Sequence, residues 1–208
     1  SRHFSIISAG PGHSGLLTED AREAILSAEE VYACGRVAGA LAALRADWRL
    51  CPAETLAEIA SESQKEQVAL VISGDACFSV RLSDMIDTLS PLGEIQVYPG
   101  VHSMQYLCAK LGERYNDGVW LRDGDSDLLA AVSYHHKLFL TMDSRRGPGA
   151  LCAELCRNGL GHLRVTVGAR LATGRETIAG GTAQTLRGKT FDAPALVLLI
   201  NERAADPL

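Results

Sequence analysis

Three short loops carry the residue types that could bind a small molecule. They are residues 10–18 (Gly-Pro-Gly-His-Ser-Gly-Leu-Leu-Thr), residues 73–75 (Ser-Gly-Asp) and residues 98–103 (Tyr-Pro-Gly-Val-His-Ser). Glycine lets main-chain N–H and C=O groups come close to a ligand, and each loop follows an apolar run that is typical of a strand. Asp75 adds a carboxylate and His13 a titratable group. We therefore expect a ligand site built largely from main chain.

The first loop also satisfies the pattern G-x-G-x-x-G of dinucleotide-binding proteins, but its surroundings contradict that interpretation. In such proteins the helix begins inside the glycine motif and its first N–H groups hold the pyrophosphate. Here Thr18 is a good N-cap, and Glu19 and Asp20 would repel a phosphate. The second strand should end in an acid that holds the ribose, yet residues 34–36 read Cys-Gly-Arg. We reject binding of NAD.

Composition narrows the class of protein. The 208 residues carry a net charge of −5, with 47% hydrophobic and 22% charged residues and no block of lysine or arginine, which argues against nucleic acid as the main partner. The longest apolar runs, residues 68–72 and 195–200, are too short to span a bilayer, and we recognise no signal peptide at the N-terminus. We therefore expect a cytoplasmic protein that does not bind membranes.

The six cysteines form no C-x-x-C pair, and no coherent cluster of metal ligands is visible. Cys152 and Cys156 lie four residues apart and would share one face of a helix, which without a further Cys or His indicates core packing. We predict reduced cysteines and no metal site.

Apolar runs alternate with amphipathic stretches through the first half of the chain. This alternation predicts a mainly parallel sheet, because strands buried on both faces appear as continuous apolar runs. The predicted strands are residues 4–9, 31–33, 68–73 and 95–98, and the predicted helices are residues 19–28, 38–45, 55–66, 82–89 and 103–111.

Polar residues 113–118, which include the turn signal Asn116-Asp117-Gly118, interrupt this pattern. We place a domain boundary there and expect two α/β domains, residues 1–114 and 115–208. The second contains a mixed sheet with an antiparallel portion. Its predicted strands are residues 119–121, 137–142, 163–167, 176–179, 183–186 and 196–200, and its predicted helices are residues 127–133 and 150–158.

The order and spacing of the three loops resemble the motifs of the tetrapyrrole methylase family. The family pattern VGxGPGxxxLLT is matched by residues 7–12 and 16–18, the pattern SGDP by residues 73–75, and the pattern PGISSxQ by residues 99–105. Members are S-adenosylmethionine-dependent enzymes that methylate corrin and sirohaem precursors. Residues 105–109 and 116–121, together with residues 147–148, 154–155 and 159–162, are most similar to the branch that methylates ring carbon 5 of precorrin-7 or cobalt-precorrin-7.

The resemblance implies that S-adenosylmethionine lies folded between the two domains. The matching cofactor-binding positions are Pro11, Ser73, Gly74, Asp75, Phe78, His102, Ser103, Met142, Ala169, Arg170 and Ala195. It also implies a tetrapyrrole substrate with many carboxylates, a homodimer and a separate decarboxylating precorrin methylase as partner.

The chemistry of the implied reaction suggests two further roles. Methylation of a ring carbon can end in the loss of a proton, and His13, in the first loop, is the candidate general base and our catalytic residue. An acidic protein must concentrate positive charge locally to hold an acidic substrate. The candidate arginines are Arg36, Arg145, Arg146 and Arg170.

Two alternatives stay open at this stage. The chain could methylate a different ring carbon, as another member of the same family. It could instead be a cofactor-binding scaffold that does not catalyse, because residues 76–80 (Ala-Cys-Phe-Ser-Val) depart from the family pattern after Asp75.

Overall fold

The computed structural model describes residues 1–124, 127–142 and 145–204. Contacts divide the chain into two compact units, Ser1–Ser103 and Met104–Leu208. Each unit contains one five-stranded sheet with helices packed against it. The predicted α/β class is therefore confirmed.

The first unit is built around a parallel sheet with the strand order β3-β2-β4-β1-β5. Every pairing between these strands is parallel, which confirms the predicted topology. The strands are β1 (Arg2–Ser8), β2 (Glu30–Ala33), β3 (Arg49–Leu50), β4 (Gln67–Ile72) and β5 (Gly93–Tyr98), and the helices are α1 (Glu19–Ser27), α2 (Gly35–Ala40), α3 (Leu56–Ser61) and α4 (Leu82–Leu89).

Both faces of this sheet are buried, which explains why its strands are continuous apolar runs. On one face Phe4 and Ile6 pack in a cluster that includes Leu56 and Leu89. On the other face Ile7 packs in a cluster with residues of α1 and α2. A parallel sheet needs such cover, because its crossover helices lie on both sides.

The second unit has the strand order β6-β7-β10-β8-β9. Strands β6 and β7 are parallel and the remaining pairs are antiparallel, so the predicted mixed sheet is confirmed. Its elements are α5 (Ser103–Leu111), β6 (Val119–Arg122), α6 (Leu128–Tyr134), β7 (Lys137–Thr141), α7 (Pro148–Arg157), β8 (Arg164–Ala169), β9 (Thr177–Thr182), α8 (Ala183–Leu186) and β10 (Ala195–Ile200).

Helix α5 belongs to the second unit by its contacts. Leu107 is fully buried in a cluster with Phe139 of β7 and Leu198 of β10. The division by contacts thus falls at Ser103 and Met104, before the helix, whereas the polar residues that suggest a boundary at 114 and 115 come after it. The difference arises because packing, not the polarity of a loop, decides which sheet a helix covers.

The prediction of a strand at residues 183–186 is wrong, because these residues form α8. Thr182 caps the helix: its Oγ1 accepts a hydrogen bond from the Thr185 N–H at 3.2 Å, and the Thr185 Oγ1 accepts one from the Thr182 N–H at 2.9 Å. This reciprocal capping box fixes a helix start, and the buried Ala183 and Leu186 then share one face.

Two helices are shorter than predicted, and one strand was not predicted. Beyond α2, the N–H of Leu44 bonds to the C=O of Leu41 at 3.0 Å, and beyond α3 that of Ser63 bonds to the C=O of Ala60 at 3.1 Å. These i to i−3 bonds tighten the chain into turns and end each helix. Strand β3 has two exposed residues, too few for a period-two pattern. Among the described residues, no helix is long and apolar enough to cross a membrane.

A buried lysine ties the start of β7 to the loop after α5. The Lys137 side chain is only 5% exposed, and its Nζ donates to Asp117 Oδ1 at 3.0 Å, Glu113 Oε2 at 3.1 Å and the Arg114 C=O at 2.8 Å. Desolvation by itself would lower the pKa of Lys137. The hydrogen bonds to Asp117 and Glu113 stabilise the charged form more strongly, so the pKa of Lys137 is raised. The lysine is therefore charged and its donors are satisfied.

Replacing this lysine should destabilise the second unit. Lys137→Ala leaves two carboxylates and a carbonyl without their donor, so we expect a loss of about 2 kcal/mol, measured by urea unfolding. Lys110→Ala is the control, because Lys110 is half-exposed and 4.0 Å from Glu176. It should cost less than about 1 kcal/mol. Equal losses for the two variants would contradict this assignment.

Candidate functional site

The buried hydroxyl of Ser8 joins the carboxyl ends of three parallel strands. Ser8 ends β1 and is completely buried. Its Oγ donates to the C=O of Tyr98, at the end of β5, at 2.5 Å, and accepts from the N–H of Ala76, in the turn after β4, at 2.8 Å. The three glycine-containing loops therefore begin from one fixed point. This is the edge of a parallel sheet at which ligands of open α/β folds bind.

The first two loops are also joined directly through their main chains. The N–H of Gly10 bonds to the C=O of Gly74 at 3.1 Å, and the N–H of Gly74 bonds to the C=O of Gly10 at 2.9 Å. Gly10 has φ +75° and Gly74 has φ +69°, a region that residues with a Cβ rarely adopt. This two-residue bridge holds the Gly-Pro-Gly and Ser-Gly-Asp loops side by side.

The third loop packs against this bridge at Gly100. A Cβ added at Gly100 would lie 2.5 Å from the Ser8 Cβ and 3.3 Å from the Gly74 carbonyl oxygen. No side chain fits there without displacing β1 or the second loop. The glycine is thus required by close approach to its neighbours.

The turn after β4 presents an acid and an aromatic ring. Asp75 Oδ1 accepts from the N–H of Cys77 at 3.1 Å and so caps the short 3-10 helix Ala76–Phe78. Phe78 is 42% exposed, and its ring lies 4.9 Å from that of His102 in the third loop, centroid to centroid. The Ser103 Oγ lies 3.5 Å from His102 Nδ1. The predicted residues of the second and third loops therefore meet.

Half-burial perturbs the titration of His102. Desolvation lowers its pKa below the ordinary value, and the nearby charge of Asp75 opposes that effect. His102 is consequently neutral at physiological pH, and it presents a polar ring beside an exposed aromatic one.

His13 has a structural task in the first loop. It is exposed, and its Nδ1 accepts from the N–H of Gly15 at 3.1 Å, which caps the 3-10 helix Ser14–Leu16. The half-buried Pro11 precedes it, and α1 starts only after Thr18, whose Oγ1 accepts from the N–H of Ala21 at 3.1 Å. The later helix start that argued against a dinucleotide site is confirmed.

The remaining predicted residues gather at one end of the second sheet. Ala169, at the end of β8, pairs with Ala195 at the start of β10. The N–H of Met142, just after β7, donates to the C=O of Ala195 at 3.3 Å. Arg170 follows Ala169 and donates its N–H to the C=O of Pro194 at 3.1 Å. The predicted set thus forms two clusters, one in each unit.

One of the candidate substrate-binding arginines is already occupied. The Arg146 guanidinium makes two bonds to the Asp123 carboxylate, at 2.7 and 2.9 Å, and a further bond to Glu154 of α7. Arg36 is exposed on α2. Arg146 thus ties its loop to α7 and to Asp123, which precedes it by 23 residues, and no local pattern in the sequence predicts these pairings.

Within the described ranges, no three His, Cys, Asp or Glu side chains could hold a metal ion together. All six cysteines are free. Cys152 is fully buried, and desolvation raises its pKa to about 11, so it packs as a neutral thiol. Residues 125–126, before α6, and residues 143–144, after Met142, lie outside the described residues.

The role of Ser8 is not among the predictions made from the sequence. A serine that follows two buried isoleucines at the end of a strand, two residues before a glycine loop, is a signal that could have revealed it. A buried hydroxyl needs partners, and the nearest polar groups are those of neighbouring strand ends.

Substitution of Gly100 should damage the junction of the three loops. Gly100→Ala inserts a methyl group against Ser8, and we expect a loss of about 2 kcal/mol in the free energy of unfolding. Gly39→Ala is the matched control, because a Cβ there meets nothing within 4 Å. In helix α2 this alanine should be neutral or stabilising by up to about 1 kcal/mol. A neutral Gly100→Ala would contradict the close approach.

The protein should become less stable as the pH is lowered, because of His102. Its folded pKa lies below the unfolded value of 6.5, so below that pH the unfolded chain binds more protons and folding weakens as pH falls to the folded pKa. His102→Asn should therefore flatten the dependence of the urea midpoint on pH between about 5 and 7. Asp75→Asn, which removes the opposing charge, should steepen it. Identical slopes in all three proteins would refute this account.

Comparison with known proteins places the chain in a family. The model of the family described as "Tetrapyrrole (Corrin/Porphyrin) Methylases" matches residues 3–187. A curated relative from Salmonella typhimurium, named cobalt-precorrin-7 C(5)-methyltransferase, is 28% identical over 180 residues, which cover 84% of this chain and 88% of the relative.

Solved structures share the fold. The cobalamin-biosynthesis precorrin-6Y methylase from Archaeoglobus fulgidus superimposes with a TM-score of 0.71 at 20% identity, covering 97% of this chain and 98% of that one. The uroporphyrin-III C-methyl transferase from Thermus thermophilus, crystallised with S-adenyl homocysteine, gives a TM-score of 0.74 at 21% identity, with 97% and 98% covered. Because the family model spans most of the chain and the loops lie where its motifs predict, the chain belongs to the tetrapyrrole (corrin/porphyrin) methylases.

Proposed function

We propose that this protein transfers a methyl group from S-adenosylmethionine to ring carbon 5 of precorrin-7 or cobalt-precorrin-7. The observation that carries the proposal is the convergence of the three family motifs on the strand ends joined by Ser8. Family membership supports the reaction class. The curated relative that aligns over 84% of the chain supports the choice of ring carbon.

The residues of the first unit fit such a cofactor. Gly74 is held at φ +69°, and among the described residues a Cβ there would meet only His102 Cδ2, at 3.5 Å, so no described side chain crowds that side of the Ser-Gly-Asp turn. The N–H and C=O of Gly74 themselves bond to Gly10, so what the turn offers adenine or ribose is close approach to a backbone that carries no side chain at this position. We propose that the cofactor is held here by Pro11, Ser73, Gly74, Asp75, Phe78, His102 and Ser103.

Charge and aromatic character also suit the cofactor. When bound, S-adenosylmethionine supplies an electrophilic methyl group on a positively charged sulfonium. Asp75 offers a carboxylate to the methionine ammonium or to the sulfonium, and the exposed Phe78 ring offers a π face to a cation. We further propose that Met142, Ala169, Arg170 and Ala195 of the second unit contact the same cofactor.

The role of His13 as general base is a separate proposal. It would accept the proton that the ring loses after methylation. Because Nδ1 accepts from the Gly15 N–H, the proton of the neutral ring is on Nε2. His13 must therefore release Gly15 before it can act as a base. A variant that keeps the cap, His13→Asn, separates these tasks: turnover within a few-fold of wild type would leave His13 as a cap alone.

Ligand titration tests the cofactor. We expect S-adenosylhomocysteine to bind in calorimetry with one molecule per chain, and NAD to give no heat. Asp75→Asn keeps an oxygen for the Cys77 cap but removes the charge, so binding should weaken about tenfold. Asp87→Asn, at an exposed position on α4, is the matched control and should bind like wild type. Absence of binding to the wild-type protein would contradict the proposed function.

Product analysis tests the substrate. Mass spectrometry after incubation with S-adenosylmethionine and precorrin-7, or its cobalt form, should reveal a product heavier by one methyl group in place of one proton. If a different precorrin is the only substrate that is methylated, the protein methylates another ring carbon. This alternative is kept because the uroporphyrin-III enzyme shares the fold as well as the precorrin-6Y methylase does. Cofactor binding with no turnover on any precorrin would favour a scaffold.

Two properties of the assembly follow as proposals. We infer a homodimer and a separate decarboxylating precorrin methylase as functional partner, both from the resemblance to the family. Six free cysteines support a reducing, cytoplasmic location. Light scattering of the purified protein measures the oligomeric state directly.

A further inference from the structure

Backbone strain is concentrated at the end of strand β8. Among the described residues, the two non-glycine residues with positive φ are Arg170, at +48°, and Ala172, at +61°. Residues with a Cβ enter this region at a cost, and in folded proteins such conformations cluster at ligand-binding sites. The loop after β8 therefore adopts a backbone conformation that is unfavourable for Arg170 and Ala172 in themselves.

Several hydrogen bonds to main-chain groups of Arg170 and Ala172 hold this conformation in place. The N–H of Arg170 donates to the C=O of Pro194 at 3.1 Å, and its C=O accepts from Thr173 Oγ1 at 2.6 Å and from the Thr173 N–H at 3.2 Å. The N–H of Ala172 donates to Glu176 Oε1 at 2.8 Å. The direction in which the Arg170 side chain leaves the backbone is thus fixed.

The side chain of Arg170 carries a buried donor that the chain leaves unused. Its Nε has almost no contact with solvent and no hydrogen-bond acceptor among the residues that the structure describes. The nearest carboxylate oxygen, Asp192 Oδ2, is 3.9 Å from Nε, too far for a hydrogen bond, and Asp192 itself is 68% exposed. A buried guanidinium N–H without an acceptor is costly, which is the reason such groups are rare.

Strain and an unsatisfied donor therefore coincide on one residue, beside the cluster of Met142, Ala169 and Ala195. We propose that Arg170 binds a carboxylate of a bound ligand through Nε and the adjacent N–H groups of its guanidinium. Two parallel N–H donors match the two oxygens of a carboxylate, which lysine does not reproduce. This inference rests on the proposed function, which offers two sources: the methionine carboxylate of the cofactor and an acidic side chain of the corrin substrate.

The test uses Arg170→Gly, because glycine adopts positive φ without strain and removes the side chain. We expect this variant to melt at the same temperature as wild type or higher, yet to bind the carboxylate ligand about tenfold more weakly. Ala172→Gly is the matched control. It relaxes the other strained position without removing a donor, so its ligand binding should equal that of wild type.

Two pairs of ligands identify the source of the carboxylate. The first pair is S-adenosylhomocysteine and methylthioadenosine, which lacks the amino-acid part. The second pair is cobyrinic acid, a corrin with several carboxylates, and its methyl ester, in which every carboxylate is esterified. Weaker binding by Arg170→Gly of S-adenosylhomocysteine alone assigns Arg170 to the cofactor. Weaker binding of cobyrinic acid alone assigns it to the substrate.

The outcomes separate this inference from the proposed function. Wild-type protein that fails to bind S-adenosylhomocysteine counts against the proposed function. If wild type binds S-adenosylhomocysteine, and Arg170→Gly binds both ligands of each pair as tightly as wild type does, the role of Arg170 alone is overturned. Equal weakening for the carboxylate and the carboxylate-free member of a pair also overturns it, because the loss would then come from the backbone.

Discussion

The site in the first unit depends on one buried hydroxyl and the close main-chain approach around it. Ser8 binds Tyr98 and Ala76 at once, so the ends of β1 and β5 and the turn after β4 cannot move independently. Gly10 and Gly74 add a reciprocal pair of main-chain bonds. A water molecule in place of these partners would leave the loops free to separate. The positions of Asp75, Phe78 and His102 follow from this junction.

The second unit reaches a comparable arrangement by a different route. Its strand β10 runs antiparallel between β7 and β8, so the start of β10 lies beside the ends of both neighbours. Met142, Ala169 and Ala195 meet for that reason alone. The loop that follows β8 is then bent into a strained conformation, which the bonds to Pro194, Thr173 and Glu176 maintain. In both units, residues at strand ends are positioned by strand order and not by proximity along the chain.

Charged groups in this acidic protein divide into structural and available ones. Lys137 and Arg146 each satisfy carboxylates of their own unit, and their charges are neutralised where they stand. Arg170 differs, because Asp192, the nearest carboxylate in the part of the chain that the structure describes, lies 3.9 Å from its Nε, beyond hydrogen-bond distance. Net charge therefore says little about where an acidic substrate can bind, whereas the partners of each arginine do.

Local patterns in the sequence predict the strand-to-helix order, the parallel and mixed sheets and the loops that carry the motifs. Continuous apolar runs and glycine-containing strand ends are local signals, and they predicted β1, β4, α4 and α5 closely. These signals do not predict the helix at residues 183–186, which the capping box of Thr182 and Thr185 fixes, nor the attachment of α5 to the second sheet. Three facts emerge only from the folded chain: Ser8 joins three loops, Arg146 is bound by carboxylates, and Arg170 Nε has no acceptor among the residues that the structure describes. Each of these facts depends on residues far apart in the chain, and no local pattern encodes which distant polar groups burial will bring within hydrogen-bond distance.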